Sequence, residues 1–361
     1  SFFWDDAISE RLERSPHLIV EHLPNAWKRL EGLLLVKHWQ PDDREPVRNT
    51  TAWVDFDGRD AIKQVIKQHL YGTDKHRLLH VAGLSGSGKT RTVVQACKDE
   101  PALAEVVVYC PALSDPVDRL LTNLNAKGGS ALLIIDEVPL DEYDILARRV
   151  ERMPTTVRVV SIGPGRADER QRDGFLILAP PTTVDNVAAV ARAAAGVLGE
   201  DVIQSIAYFA GKDLRLALLL VEATLKTQAP QFVPLRDNRD VWTRIRALFA
   251  PHITCPDFDH HYGLLTTTID IGVKGKSGEE LAYLANHFEK QIGAMEACVR
   301  DAVRTGLGSM PFDHFETIPR ALAQWMFFDQ VWPALQHRVE QFLQKCPSDR
   351  LRKKFLERCQ E

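Results

Sequence analysis

Gly83-Leu84-Ser85-Gly86-Ser87-Gly88-Lys89-Thr90 is the stretch on which the reading of this chain turns. It satisfies G-x-x-x-x-G-K-[ST] and lies between an apolar run, Leu78 to Ala82, and a helical run, Thr92 to Cys97, the strand-then-helix context that the pattern requires. Glycines let such a backbone curl until successive N–H groups face one point, and the positive end of the following helix adds to them. A nest of this kind takes phosphate oxygens. Gly83, Ser85, Gly86, Ser87 and Gly88 would line it, Lys89 would reach the β and γ phosphates, the Thr90 hydroxyl would ligate Mg²⁺, and Arg91 follows directly. The expected ligand is ATP or ADP with Mg²⁺.

Downstream stands Ala131-Leu132-Leu133-Ile134-Ile135-Asp136-Glu137. Five apolar residues predict a strand buried on both faces, and its carboxyl end delivers two acids to the crevice where open α/β sheets bind ligands. Asp136 is expected to hold Mg²⁺, and Glu137 to orient or deprotonate an attacking water. An acidic pair ending a strand is also a common turn. Its place beyond the glycine loop, with one β-rich run (Glu105 to Cys110) in between, favours the metal-and-water reading.

At 361 residues the chain exceeds the length at which one core stops growing, so two or three domains are expected. A hydrophobic fraction of 45% against 26% charged residues fits a folded, soluble protein. No run reaches the ~18 uncharged apolar residues of a membrane helix, and the first residues lack the order of a signal peptide. A cytoplasmic location without membrane contact is the expectation. Ser1 in place of an initiator Met reads as a processed or excised end. The six cysteines are scattered, with no C-x-x-C pair, which argues against a zinc site or a disulfide framework. A net charge of −4 with interspersed signs argues against a protein that coats nucleic acid by charge alone. Arg350-Leu351-Arg352-Lys353-Lys354 is a local basic candidate; its plainer reading is a solvated helix end.

Four regions follow one another. Residues 1–51 show helical spacing of large apolar residues such as Leu18, Leu23, Trp27 and Leu30. Residues 52–180 alternate short β-rich runs with helical patterns, the signature of a parallel sheet covered by helices; the runs include Val157 to Ile162 and Phe175 to Leu178. Residues 181–232 form an Ala/Leu-rich helical module, and residues 233–361 are mostly helical. In this last region helices near 262–273, 278–289 and 293–305, then a hairpin at Gly306-Leu-Gly-Ser-Met-Pro311, give the order of a winged helix. The predicted fold class is α/β: a P-loop NTPase sheet domain, then a helical module, then a winged-helix-like domain.

A strand inserted between the phosphate-loop strand and the acidic strand, with a glutamate placed to activate water, resembles the additional-strand, catalytic-glutamate branch of P-loop NTPases, which includes the AAA+ and STAND families. Phe56-Asp57-Gly58-Arg59-Asp60 is similar to the F-x-G-R-[DE] segment that lies against the base in those families, which implies nucleotide contacts for Gly58 and Arg59. Gly211-Lys212-Asp213-Leu214-Arg215-Leu216-Ala217-Leu218 resembles their lid motif. The resemblance implies that Arg215 senses the γ phosphate with its planar fork; the alternative is a surface arginine on an amphipathic helix. It also implies a polar sensor at Ser161, where an end-of-strand hydrogen bond is the alternative, and a nucleotide contact at Pro181. Arg166 is a phosphate-side cation or a solvated loop residue. Arg148, Arg149 and Arg152 are fingers for a neighbouring subunit or a solvated helix face.

The resemblance covers residues from about 52 to 340 and has two departures. The lid carries Gly-Lys-Asp-Leu-Arg where many STAND proteins carry Gly-x-Pro, and the last module lacks their Met-His-Asp signature. Thr317-Ile-Pro-Arg-Ala-Leu-Ala-Gln-Trp325 looks like the post-wing helix of bacterial STAND proteins. What the family implies is an ATP-binding and hydrolysing switch whose nucleotide state controls conformation and homo-oligomerisation, with fused or separate effector and sensor domains, in bacterial defence or signalling. The alternative is an AAA+ initiator or loader that binds duplex DNA through a winged helix, resting on the helix Met295 to Thr305 with Arg300 and Arg304; the acidic balance speaks against it. A degenerate P-loop kept as scaffold is a third reading, and the presence of Lys89, Thr90, Asp136 and Glu137 weakens it. Asp257-Phe258-Asp259-His260-His261 mixes acids and imidazoles, but adjacent histidines on regular structure do not face one site, so a surface loop is expected there.

Overall fold

Strand β2 (Leu78–Ala82) carries the phosphate loop at its carboxyl end and lies inside a sheet of six strands in the order β1-β3-β4-β5-β2-β6. The computed structural model describes residues 21–22, 53–56, 58–72, 76–84, 86–104, 107–110, 115–127, 131–138, 140–163, 174–178, 183–228, 232–310 and 313–360. Strands β3 (Val107–Cys110), β4 (Ala131–Ile135), β5 (Val157–Gly163) and β6 (Phe175–Ile177) run parallel to β2, while β1 (Glu21–His22) pairs antiparallel with β3. Every residue of β2, β3 and β4 is buried, as expected of parallel strands covered on both faces. Helices α1 (Arg59–Leu70) and α2 (Lys89–Lys98) pack together, with α1 against β5 and α2 against β2. Another core joins Leu78, Val108, Leu133, Ile135 and Val159 to Leu121 and Leu124 of α4 (Asp115–Lys127) and Leu146 and Val150 of α5 (Leu140–Glu151); the short helix α3 (Pro101–Ala104) precedes β3.

Two expectations change here. In space, the strand between the phosphate-loop strand and the acidic strand is β5; β3, which intervenes in the sequence, lies on the outer side of β4. Chain order and the right-handed crossover rule leave this lateral order open. In the N-terminal segment, Glu21 and His22 are extended and pair with Tyr109 and Val108; the rest of its expected helices lie outside the described residues.

The described residues through Leu178 form one compact unit, and those from Thr183 onward a second. The second begins with α6 (Val184–Ala194), α7 (Glu200–Ala210) and α8 (Leu214–Gln228). Thr183 caps α6 by accepting the Asn186 N–H. Asp213 caps α8, taking the backbone N–H groups of Arg215 at 2.9 Å and Leu216 at 3.0 Å, which satisfies donors that a helix start leaves open. Leu216, Ala217, Leu219, Leu220, Val221 and Ala223 of α8 are all buried, because α6, α7 and α9 (Asn238–Phe249) pack around it.

Then follow α10 (Phe258–Leu265), β7 (Asp270–Gly272), α11 (Gly278–His287), α12 (Ile292–Thr305) and the antiparallel strands β8 (Gly308–Ser309) and β9 (His314–Thr317), which form a sheet in the order β7-β9-β8. The helix expected near 262–273 starts earlier and stops at Leu265. Buried Thr266 and Thr267 turn their hydroxyls back to the carbonyls of Gly263 and Leu264, each at 2.6 Å, a local alternative to the helical ladder, and the chain re-enters as β7. Helices α13 (Arg320–Met326), α14 (Trp332–Leu335), α15 (Val339–Lys345) and α16 (Asp349–Cys359) close the unit over a buried cluster that includes Phe327, Phe342 and Phe355. Among the described residues no helix is long and apolar enough to cross a membrane.

Candidate functional site

The glycine loop has the backbone that its sequence demands. Gly83, Gly86 and Gly88 take φ of 156°, 76° and 89°, conformations that a side chain rarely tolerates, and a Cβ at Gly83 would stand 2.5 Å from the Leu178 carbonyl oxygen. Gly88 then caps α2, so the loop feeds directly into a helix N-terminus. Lys89 Nζ donates to the carbonyls of Gly83 at 3.0 Å and Leu84 at 2.9 Å, which holds the ammonium against the loop. Ser87 is fully buried and its hydroxyl has no hydrogen-bond partner among the protein atoms. Ser85 lies outside the described residues, and Arg91 is half-buried on α2.

The acid pair is joined to this loop by a direct bond. Thr90 Oγ1 donates to Asp136 Oδ2 at 2.8 Å, Tyr109 from β3 donates to the same oxygen at 2.6 Å, and the Glu137 N–H meets Asp136 Oδ1 at 2.8 Å. Glu137 itself has φ 51°, the left-handed region that a residue with a side chain occupies at some cost, and such outliers gather at functional sites.

These residues suit a nucleotide phosphate with Mg²⁺. A buried serine hydroxyl lacks a partner, the loop is one that an added Cβ would fill, an ammonium lies on it, and a threonine hydroxyl and a carboxylate offer the hard oxygen ligands that Mg²⁺ prefers. Thr90 and Asp136 are the candidates to hold the metal.

Arg59 and Ser161 do something the sequence did not display. The Arg59 guanidinium is buried, donates to the Ser87 carbonyl at 2.8 Å and to Thr92 Oγ1 at 3.2 Å, and lies 4.2 Å from the centre of the Phe56 ring. It therefore braces the phosphate loop through the loop's own backbone. Gly58, with φ 71°, caps α1 just before it. Ser161 is fully buried beside its register partner His80, whose Nδ1 lies 2.8 Å from Ser161 Oγ, and the His80 ring packs on Tyr143. That contact joins two neighbouring strands inside the sheet. Tyr109 and His80 were missed in the sequence; the only signal is a polar residue inside an otherwise apolar strand.

The remaining candidates scatter. Arg215 is half-buried in the first turn of α8, in the second unit. Arg149 is spent within the chain, on Asp118 Oδ1 at 2.6 Å and on Thr122, and Arg148 Nε donates to the Asp144 carbonyl; Arg152 is exposed. Pro181 and Arg166 lie outside the described residues. His260 and His261 open α10 in place of the expected loop: His260 is exposed, while His261 is buried with Nδ1 3.1 Å from the Pro256 carbonyl. Among the described residues no cluster of three His, Cys, Asp or Glu side chains could hold a metal. The basic run near the end closes on the chain's own acids: Arg350 on Asp270 and Glu280, Arg352 on Asp349, and Lys354 on Asp270 and Glu357. All six cysteines are free, and burial pushes the Cys97 and Cys110 thiols up to about 12, as packed, unreactive thiols require.

Taken together, the lateral order of the strands, the glycine loop after β2 and the acid pair after β4 define the P-loop NTPase fold in its additional-strand form. No family model and no curated protein matches the sequence. Among solved structures, the chain is similar to Cdc6p from Pyrobaculum aerophilum, at 16% identity over 78% of this chain and 97% of that one, with a TM-score of 0.38. It is similar also to a Walker-type ATPase from Pyrococcus abyssi, at 11% identity over 79% and 99%, with a TM-score of 0.37. A STAND protein with a tetratricopeptide repeat sensor from Pyrococcus horikoshii is similar at 10% identity and a TM-score of 0.38; the match spans 89% of this chain and half of that protein. At these identities and scores the likenesses assign nothing; the fold rests on the strand order and the loop.

Proposed function

We propose that this chain is an ATP-binding and ATP-hydrolysing switch of the STAND kind, whose nucleotide state sets its conformation and its assembly into homo-oligomers. The observation that carries the reading is the 2.8 Å bond between Thr90 and Asp136, which joins the end of the phosphate loop to the end of the acid strand, with Glu137 next in the chain. Each residue then has a task. The N–H groups of the loop and the Ser87 hydroxyl receive phosphate oxygens. Lys89 exchanges the neutral carbonyls of Gly83 and Leu84 for the anionic β and γ phosphates, and a bond in which both partners are charged is the stronger. Thr90 and Asp136 would hold Mg²⁺, which would supply positive charge against the phosphates. Glu137 orients a water and accepts its proton.

The switch reading draws on the second unit. Asp213 accepts the first N–H groups of α8, where Arg215 sits. The resemblance gives Arg215 the task of sensing the γ phosphate, and the Asp213 cap fixes the start of the helix that carries it. Effector and sensor domains, and a role in defence or signalling, belong to this proposal.

Calorimetry with ATP and ADP in Mg²⁺ tests the binding: wild type is expected to bind, and Lys89→Ala to lose at least about tenfold in affinity, the loss of one charge-assisted contact. Glu137→Gln should still bind ATP yet hydrolyse it about 10²–10⁴-fold more slowly. Absence of heat with either nucleotide on folded protein would sink the reading. A single oligomeric state with ATP and ADP on size-exclusion chromatography would sink the switch and leave the ATPase.

A second reading, duplex-DNA binding by an AAA+ initiator-like protein, draws on the order α10-β7-α11-α12-β8-β9, which is that of a winged helix. It has less behind it. On α12, exposed Glu296 accompanies Arg300, and Arg304 is bonded to Asp301 and to the His252 carbonyl, which leaves little positive charge for phosphates. Submicromolar anisotropy binding to a duplex with a steep salt slope would promote it.

A further inference from the structure

Asp136 is held on more sides than a metal-binding acid at a strand end needs for its fold. Its Oδ1 accepts the Glu137 N–H, and its Oδ2 accepts both the Thr90 hydroxyl and, at the shortest distance of the three, 2.6 Å, the Tyr109 phenol. Tyr109 comes from β3, the strand that flanks β4, one register step before the Cys110–Ile135 pair. Its side chain is buried, and Phe would fill the same space. The hydroxyl is therefore the part that needs a reason. A phenol donating to a carboxylate makes a short, charge-assisted bond, and with the Glu137 N–H on the other oxygen it fixes both the rotation and the tilt of the carboxyl plane. Thr90 alone could not do this, because its own hydroxyl is wanted by the metal.

We propose that Tyr109 is a positioning residue for the Asp136 carboxylate: its phenol presets the carboxylate for a divalent cation shared with Thr90. The inference rests on the reading that Asp136 serves Mg²⁺-nucleotide, and goes beyond it by placing the control of metal affinity on a neighbouring strand. Hydrogen-bonded partners behind metal ligands are worth about 10–100-fold in metal affinity in general. Tyr109 touches neither phosphate nor water in this role, so nucleotide binding without metal should not depend on its hydroxyl.

The test is a Mn²⁺ titration of the whole chain with saturating ADP, followed by the electron paramagnetic resonance signal of free Mn²⁺, for wild type, Tyr109→Phe and Asp136→Asn. Calorimetry of ADP in EDTA runs beside it. Tyr109→Phe is expected to weaken Mn²⁺ binding by about tenfold and to leave ADP affinity in EDTA within twofold of wild type. Unchanged Mn²⁺ affinity in Tyr109→Phe, with Asp136→Asn strongly weakened, would overturn the role of Tyr109 and leave the metal site standing. An equal loss of ADP affinity in EDTA would also overturn it, since a packing defect acts on both. If wild type and Asp136→Asn take up Mn²⁺ alike, the metal role of Asp136 fails and the inference falls with it.

Discussion

The phosphate loop and the far end of the second unit both bury strongly polar groups, yet they satisfy them in opposite ways. Near the chain's end Arg350 bridges Asp270 and Glu280, and Glu280 also accepts the Ser348 hydroxyl at 2.6 Å and the Gly272 N–H at 2.7 Å. Although burial alone would push the Glu280 carboxyl up, Arg350 and these donors together hold it below the ordinary range. Donors and acceptors there answer one another. At Gly83 to Thr90 the answer is incomplete: a buried serine hydroxyl has no protein partner, while a lysine ammonium lies on the carbonyls of its own loop. A set that closes on itself holds helices and strands together; a set left open sacrifices stability to receive a ligand.

The sharpest way to break this contrast is Gly83→Ala. Its Cβ would meet the Leu178 carbonyl at 2.5 Å, so the loop must move; with two or more phosphate contacts misplaced, nucleotide affinity by calorimetry should fall by about a hundredfold or more. Arg350→Met comes next. It leaves Glu280 buried without its guanidinium, and denaturant unfolding should show a loss of about 3 kcal/mol with nucleotide affinity unchanged.

The closed set should also show in pH. Because the folded Glu280 carboxyl lies below its ordinary 4.5, its stabilisation is present above that value and is lost as pH falls through the depressed one. The gap in melting temperature between wild type and Glu280→Gln should therefore narrow in acid; a constant gap would show that the bridge carries no charge effect.

The smallest expected effects lie at Asp213, which belongs to neither extreme. Asp213→Ala removes a helix cap and should cost about 1–2 kcal/mol. Burial raises the Asp213 carboxyl above its ordinary value despite the Leu216 and Arg215 N–H groups and the Arg215 charge, which lower it. Any stability from its titration is thus present at low pH and is lost as pH rises through the raised value. Asp213→Asn should gain on wild type as pH rises above the carboxyl's ordinary 3.8; a flat difference would mean that the donors fully offset the burial.

How much could be read beforehand differs from residue to residue. The loop, Asp136 and Glu137 were legible because glycine spacing and an apolar run ending in acids are local patterns, set by the chain's own bond geometry. The end of α10 at Thr266 was not, since three threonines read as helix or strand until their hydroxyls find carbonyls. Nor were Tyr109, His80 and the bracing by Arg59, whose partners lie 27, 81 and 28 residues away.

The sequence by itself determined that this chain builds a glycine nest ahead of a helix and presents two acids at a strand end, because both depend on neighbours along the backbone. The tertiary structure alone decided that β5 separates the two strands, that Thr90 and Tyr109 share one oxygen of Asp136, and that the terminal arginines spend their charge on Asp270, Glu280 and Asp349. Lateral strand order and long-range pairing depend on which distant groups burial brings together, and a linear pattern carries no record of that.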